Sequence, residues 1–181
     1  MTEKPLTIYT IGHSTLSAED FVRLLQAHGV KQLVDVRTVP RSRRNPQFNQ
    51  DTLPETLRAA GIDYIAMPGL GGWRKARPDS PNTAWRNQSF RGYADYMLTP
   101  EFAHHLEELI ALARRTPTAI MCAEAVPQRC HRSLIADALV ARGVEVMHIR
   151  GLTRAEPHQL TPWAKVEGTT VTYPGEQALP L

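Results

Sequence analysis

Residues 119–133 read AIMCAEAVPQRCHRS, and how they are taken decides the fold. The apolar run ending at Cys122 has the length and composition of a buried strand. A short loop carrying Glu124 and Pro127 follows, and from Ser133 onward SLIADALVAR has helical spacing closed by Gly143. Strand, turn and helix in that order form the repeating unit of a parallel sheet. The two cysteines of the chain, Cys122 and Cys130, both fall inside these fifteen residues. The segment is therefore a nucleophile loop, a metal site or a well-packed turn, and the rest of the chain has to discriminate.

The same alternation extends in both directions. TIYTI (7–11), KQLVDVR (31–37), IDYIAMP (62–68) and VEVMHI (144–149) are short β-branched or aromatic runs that read as strands. Ser17 followed by Asp20 resembles a capping box, with Phe21, Leu24 and Leu25 at helical spacing before Gly29. Thr52 to Ala60, closed by Gly61, is a second helix. Thr99 and Pro100 open the longest, with Phe102, Leu106, Leu109, Ile110 and Ala113 on one face. The expectation is an α/β fold: a three-layer α/β/α arrangement around a five-stranded, mainly parallel sheet. Residues 1–150 read as one domain with a long basic insertion at about 70–92, and residues 151–181 as an irregular tail packed on it.

Composition narrows the class. The chain has 181 residues, 42% hydrophobic and 22% charged, which is ordinary for one globular domain. Two cysteines build no disulfide framework, and neither a leader pattern nor a membrane-length apolar run is present, so a cytoplasmic protein with reduced thiols and no membrane partner is expected. No pattern specifies an oligomeric state. Net charge is only +3, yet from Arg37 to Arg91 ten Lys/Arg stand against four Asp/Glu. That local excess attracts phosphates, unless it is only a solvated loop region. Within it, WRKARPDSPNTAWRNQSFR has no consistent period but holds Trp73 and Trp85, side chains that plain disorder rarely carries.

Right-handed crossovers place every strand-to-helix turn at one edge of such a sheet, where open α/β folds bind ligands. Gly12, His13 and Ser14 follow the first strand; Asp35 and Arg37 end the second; Gly69 to Gly72 follow the third; Cys122 and Glu124 end the fourth. Cys130, His131 and Arg132 open a helix, where free N–H groups favour anions. Asp35 and Arg37 serve equally well as a structural ion pair, and the glycines read as backbone-shape residues because no phosphate-loop fingerprint is present.

Together TIGHS, DVR followed by PRSR, a LGG turn and CAE…CHRSLIA resemble the family catalogued as domain of unknown function 488, from about Thr10 to Ile149, with HQLTPWA fitting its closing segment. The resemblance implies a Rossmann-like or flavodoxin-like α/β domain and no established reaction. Its recurring polar positions fall on His13, Asp35, Arg37, Cys122, Glu124, Cys130, His131 and Arg132.

Four chemistries remain open from sequence. Cys122 as a thiolate beside Arg129 or Arg132 would suit rhodanese- or phosphatase-like chemistry, although the spacing to Arg129 is one residue too long for the phosphatase loop. Glu124 as nucleophile or general base, partnered by His13 or His131, would suit cleavage in a nucleotide or nucleic acid. Asp35, Arg37, Arg41, Arg43, Arg129 and Arg132 would then hold the substrate and its phosphate, with Trp73 or Trp85 stacking on a base. Cys122, Cys130 and His131 are ligand types for zinc or iron. A non-catalytic nucleic-acid-binding module is the fourth. The reading adopted is a hydrolase or transferase with an anion-binding site for a phosphate-bearing small molecule or nucleic acid.

Overall fold

The computed structural model describes residues 5–175. In chain order the elements are β1 (Thr7–Gly12), α1 (Ala18–Ala27), β2 (Gln32–Asp35), α2 (Leu53–Ala59), β3 (Asp63–Ala66), α3 (Gln88–Tyr96), α4 (Pro100–Arg115), β4 (Thr118–Cys122), α5 (Arg132–Ala141), β5 (Glu145–Gly151), β6 (Arg154–Pro157), β7 (Lys165–Glu167) and β8 (Thr170–Thr172). The helix starts obey their caps. Ser17 Oγ accepts the Asp20 N–H at 3.1 Å, and Thr99 Oγ1 accepts the Phe102 N–H at 3.2 Å. Gly29 stops α1 in the left-handed region at φ 71°.

Strand alternation divides the interior in two. Leu33, Ala119 and Met121 pack with Phe21 and Leu25 of α1 and with Leu53 and Leu57 of α2. Their neighbours Val34, Ile120 and Cys122 point the other way, against Tyr93 of α3, Leu106 and Leu109 of α4, and Leu134 and Leu139 of α5. β4 is buried along its whole length because both of its faces are covered.

The sheet has six strands in the order β3-β2-β4-β1-β5-β6. β1 to β5 are mutually parallel, and β6 pairs antiparallel with β5. This corrects the five-strand expectation. RAEP (154–157) has a charged, short edge-strand composition with no apolar alternation, so no periodicity announces it. The segment expected as an irregular tail carries β6 and the separate β7–β8 hairpin, while residues 176–181 lie outside the described residues. α3 begins inside the stretch expected as a basic loop and runs past it to Tyr96, its helical period hidden by Gly92 and its polar residues. Asn87 starts it by accepting the Ser89 and Phe90 N–H groups at 2.8 and 3.2 Å. Among the described residues no helix is long and apolar enough to cross a membrane.

One feature of this order positions the site. β4 is inserted between β1 and β2, so the C-terminal ends of all three lie side by side, with Gly12 opposite Cys122 and Asp35 opposite Met121. Such a switch in strand order leaves a crevice where neighbouring connections diverge.

Candidate functional site

The crevice is a cleft of about 730 Å³. His13, Arg37, Cys122, Glu124 and His131 all border it, as do Arg41, Trp73, Arg129 and Cys130. Four candidates from sequence do not, Trp85 among them. Asp35 lies beneath Arg37, Arg132 is buried behind the Glu124 loop, and Arg43 does not line the cleft, whereas Arg44 does. Sequence could not choose between adjacent arginines in a loop. That choice depends on the turn, held by the Ser42 N–H to Asn49 Oδ1 and the Asn45 N–H to Ser42 Oγ.

The floor is a fixed ion pair. Arg37 Nε and Nη2 donate to both oxygens of Asp35 at 2.9 and 2.7 Å, and Nη2 also donates to the Phe48 carbonyl. The Tyr64 hydroxyl donates to Asp35 Oδ2, and burial followed by this bond pushes its pKa up. The Arg37 fork is thus largely spent on Asp35, and its Nη1 alone reaches toward His13 Nε2, at 3.5 Å.

Both cleft histidines have assignable tautomers. His13 Nδ1 donates to the Ser14 carbonyl at 2.9 Å, which leaves Nε2 as an acceptor beside Arg37. The ring stacks on Phe48, and burial keeps its pKa below the ordinary value of 6.5. His131 Nε2 donates to the Val36 carbonyl at 2.9 Å, so Nδ1 accepts from the Cys130 thiol at 3.5 Å. Burial drives the His131 pKa from 6.5 down to about 4. Gly72 allows this packing, because a Cβ there would stand 2.6 Å from His131 Nδ1.

Among the described residues no three His, Cys, Asp or Glu side chains converge as a metal-ligating group. Both His131 nitrogens are engaged, Nε2 with the Val36 carbonyl and Nδ1 with the Cys130 thiol.

Cys122 is 2% exposed and its thiol faces the Glu124 carbonyl at 3.5 Å. Burial raises its pKa, but the adjacent Cys130 thiol and the Arg132 charge outweigh it, so the Cys122 thiol is held below its usual range. Cys130, facing that neighbour, is pushed well above. Glu124 is exposed at the rim, and among the described residues its carboxylate has no hydrogen-bond partner. Arg41, Arg44 and Arg129 are likewise exposed with no carboxylate partner among the described residues. Trp73 stands out at 76% exposure. Trp85 is corrected as a stacking candidate, because it packs among Phe90, Trp163 and Tyr173.

Histidine burial fixes an acid limit. The folded state leaves His131 unprotonated down to about pH 4 and His148 to about pH 3, while the unfolded chain binds those protons near 6.5. The unfolded state therefore holds more protons below 6.5, and stability falls with falling pH across that window. Urea midpoints from pH 7 to 4 should decrease, and His131→Asn should flatten the profile.

The pattern described as "Domain of unknown function DUF488" matches residues 17–139. The chain belongs to the DUF488 family. Comparison with curated proteins and with solved structures returned no match. The DUF488 span runs from the cap of α1 into α5, so it carries Asp35, Arg37, Cys122, Glu124, Cys130, His131 and Arg132. TIGHS, with His13, and HQLTPWA lie outside the matched DUF488 span.

Proposed function

We propose that the cleft binds a phosphate-bearing nucleotide or nucleic acid and that the protein is a hydrolase or transferase acting on it. The observation that carries this reading is the set of three exposed guanidinium groups, Arg41, Arg44 and Arg129, unpaired among the described residues, around one cleft that also holds an unpaired carboxylate. Exposed arginines in a concave site recognise phosphate oxygens well. Trp73 adds a bare aromatic face for a base, and a second shallow cavity with Arg74 and Lys75 lies on its other side. We further propose a single three-layer, Rossmann-like domain in the cytoplasm, with the cleft at its strand switch.

Glu124 is the chemical group in this scheme, as nucleophile or general base. His13 serves as its acid–base partner through Nε2, which borders the cleft beside the Arg37 guanidinium at 3.5 Å. Cys122, buried at the back, supports the loop.

Binding of fluorescent nucleotides and of single- and double-stranded oligonucleotides at varied salt tests the proposal. Replacing Arg41, Arg44 or Arg129 by Ala should reduce the salt slope on a single strand by about 0.7 for each phosphate left without its guanidinium. Trp73→Ala should weaken binding by about 1–3 kcal/mol without affecting stability. Glu124→Gln should bind as well as wild type and show no turnover. Absence of binding to every probe at low salt sinks the reading.

One observation favours a second reading with Cys122 as nucleophile. Arg132 is fully buried without a carboxylate, and its Nε has no partner among the described residues. A Cys122 thiolate is the anion that would complete it. Alkylation by iodoacetamide should then occur at Cys122 well below pH 8.5, and a rate that rises only near that value removes the reading.

A further inference from the structure

A second polar cluster lies beside the cleft, joining Thr10, Arg132, His158 and Thr161 of the quoted motifs to Asp137, His148 and Tyr173. Asp137, on α5, is completely buried and is the acceptor for three donors. The Tyr173 hydroxyl reaches Oδ2 at 2.6 Å, the Thr161 N–H reaches Oδ1 at 3.0 Å, and His158 Nε2 lies 2.7 Å from Oδ1. His158 Nδ1 lies 2.8 Å from His148 Nε2, and His148 Nδ1 lies 2.5 Å from Thr10 Oγ1. Thr10 Oγ1 in turn accepts from Arg132 Nη1 at 2.8 Å.

With both imidazoles neutral, the carboxylate end fixes the direction of every bond in the row. A guanidinium only donates, and an ionised carboxylate only accepts. Asp137 accepts from His158 Nε2, so a neutral His158 accepts at Nδ1 from His148 Nε2. A neutral His148 in turn accepts at Nδ1 the hydrogen of the Thr10 hydroxyl, whose lone pair takes the Arg132 hydrogen. Two neutral imidazoles in one tautomer each satisfy the whole row, with no donor facing a donor. A buried arginine and a buried aspartate too far apart to pair are linked through three side chains.

The arginine end reaches the cleft. Arg132 Nη2 donates to the Glu124 and Ala125 carbonyls at 2.9 and 3.1 Å. The Glu124 carbonyl is pressed from the other side by Gly12. The loop that presents the Glu124 carboxylate is thus clamped by a guanidinium whose own orientation is set by Thr10.

We infer that Thr10, His148, His158 and Asp137 are positioning residues, a one-directional hydrogen-bond chain by which the C-terminal segment holds Arg132 beneath the Glu124 loop. Thr10, His148, His158 and Tyr173 all lie outside the family-matched span, so the clamp is completed by flanking chain. His148 and His158 also border a separate cavity of about 420 Å³, and the chain therefore links that opening to the cleft.

Nitrogen-15 NMR of the histidine side chains in the full chain at pH 7 tests the chain without any ligand, so its outcome is independent of the nucleotide reading. His148 and His158 should each show a neutral ring protonated on Nε2 alone. A cationic ring, a mixed tautomer or the Nδ1–H form at either position overturns the inference. Function as a clamp is read by amide hydrogen exchange in residues 123–126. Thr10→Val keeps the shape and removes the hydroxyl, and should speed that exchange about tenfold, while Thr10→Ser should keep the wild-type rate. His158→Ala, at the Asp137 end of the row, should loosen the same loop and serves if Thr10→Val does not fold. Unchanged exchange in folded Thr10→Val or His158→Ala overturns the inference, and so does a Thr10→Ser rate equal to that of Thr10→Val.

Discussion

Asp35→Ala should lower the free energy of unfolding by about 3–5 kcal/mol, a large fraction of what a domain of this size possesses. Asp35 is 1% exposed and accepts from Arg37 Nε, Arg37 Nη2, the Arg37 backbone N–H and the Tyr64 hydroxyl. Removing it leaves a buried guanidinium facing the site of a missing carboxylate, along with an unpaired phenol. The loss comes from the stranded charge more than from the missing bond. The double variant Asp35→Ala/Arg37→Met should therefore be markedly more stable than Asp35→Ala alone. Urea denaturation of the two proteins measures both statements. A single-mutant loss under about 1 kcal/mol would show that the pair is not the desolvated one its geometry describes.

Gly12→Ala is the second large effect, and it arises from space alone. A Cβ at Gly12 would overlap the Glu124 carbonyl oxygen and stand 2.5 Å from its carbon. No backbone tolerates that approach, so the Glu124 loop has to move or the strand has to shift. Overpacking typically costs about 1–3 kcal/mol, and here it meets rigid main chain, so the upper end is expected. The same movement breaks the Arg132 bonds to Glu124 and Ala125, so ligand binding should fail even at temperatures where the variant remains folded. Gly29→Ala is the control: nothing lies within 4 Å of its Cβ, and only the positive φ is strained, at about 1 kcal/mol. Equal thermal shifts for the two variants would refute the steric argument.

These cases show what the linear chain announces and what it withholds. Strand ends followed by glycine or charge identify the sheet edge, and Cys122, Glu124, His13 and Arg37 are found there because period and crossover handedness are local rules. The pairing of Asp35 with Arg37 is local too, two residues apart on one strand face. β6 and α3 are hidden because one is a charged edge and the other is interrupted by Gly92, which is needed where a Cβ would collide with the Arg74 carbonyl. Long-range contacts are illegible altogether. Nothing in HQLTPWA or VTYP shows that His158 and Tyr173 converge on Asp137, since each is fixed by packing across the fold. The contacts of Cys130 and His131 are hidden for the same reason: adjacency in sequence says nothing of which atoms the ring and the thiol engage.

The three tryptophans are not equivalent as optical probes. Trp85 and Trp163 sit 5.2 Å apart in a shared aromatic cluster, Trp163 46% exposed, while Trp73 is 76% exposed at the cleft rim. Its indole emits from water, open to collisional quenchers, and a base laid on it would shield it. The protein therefore carries its own fluorescent reporter of occupancy, readable by acrylamide quenching without any label.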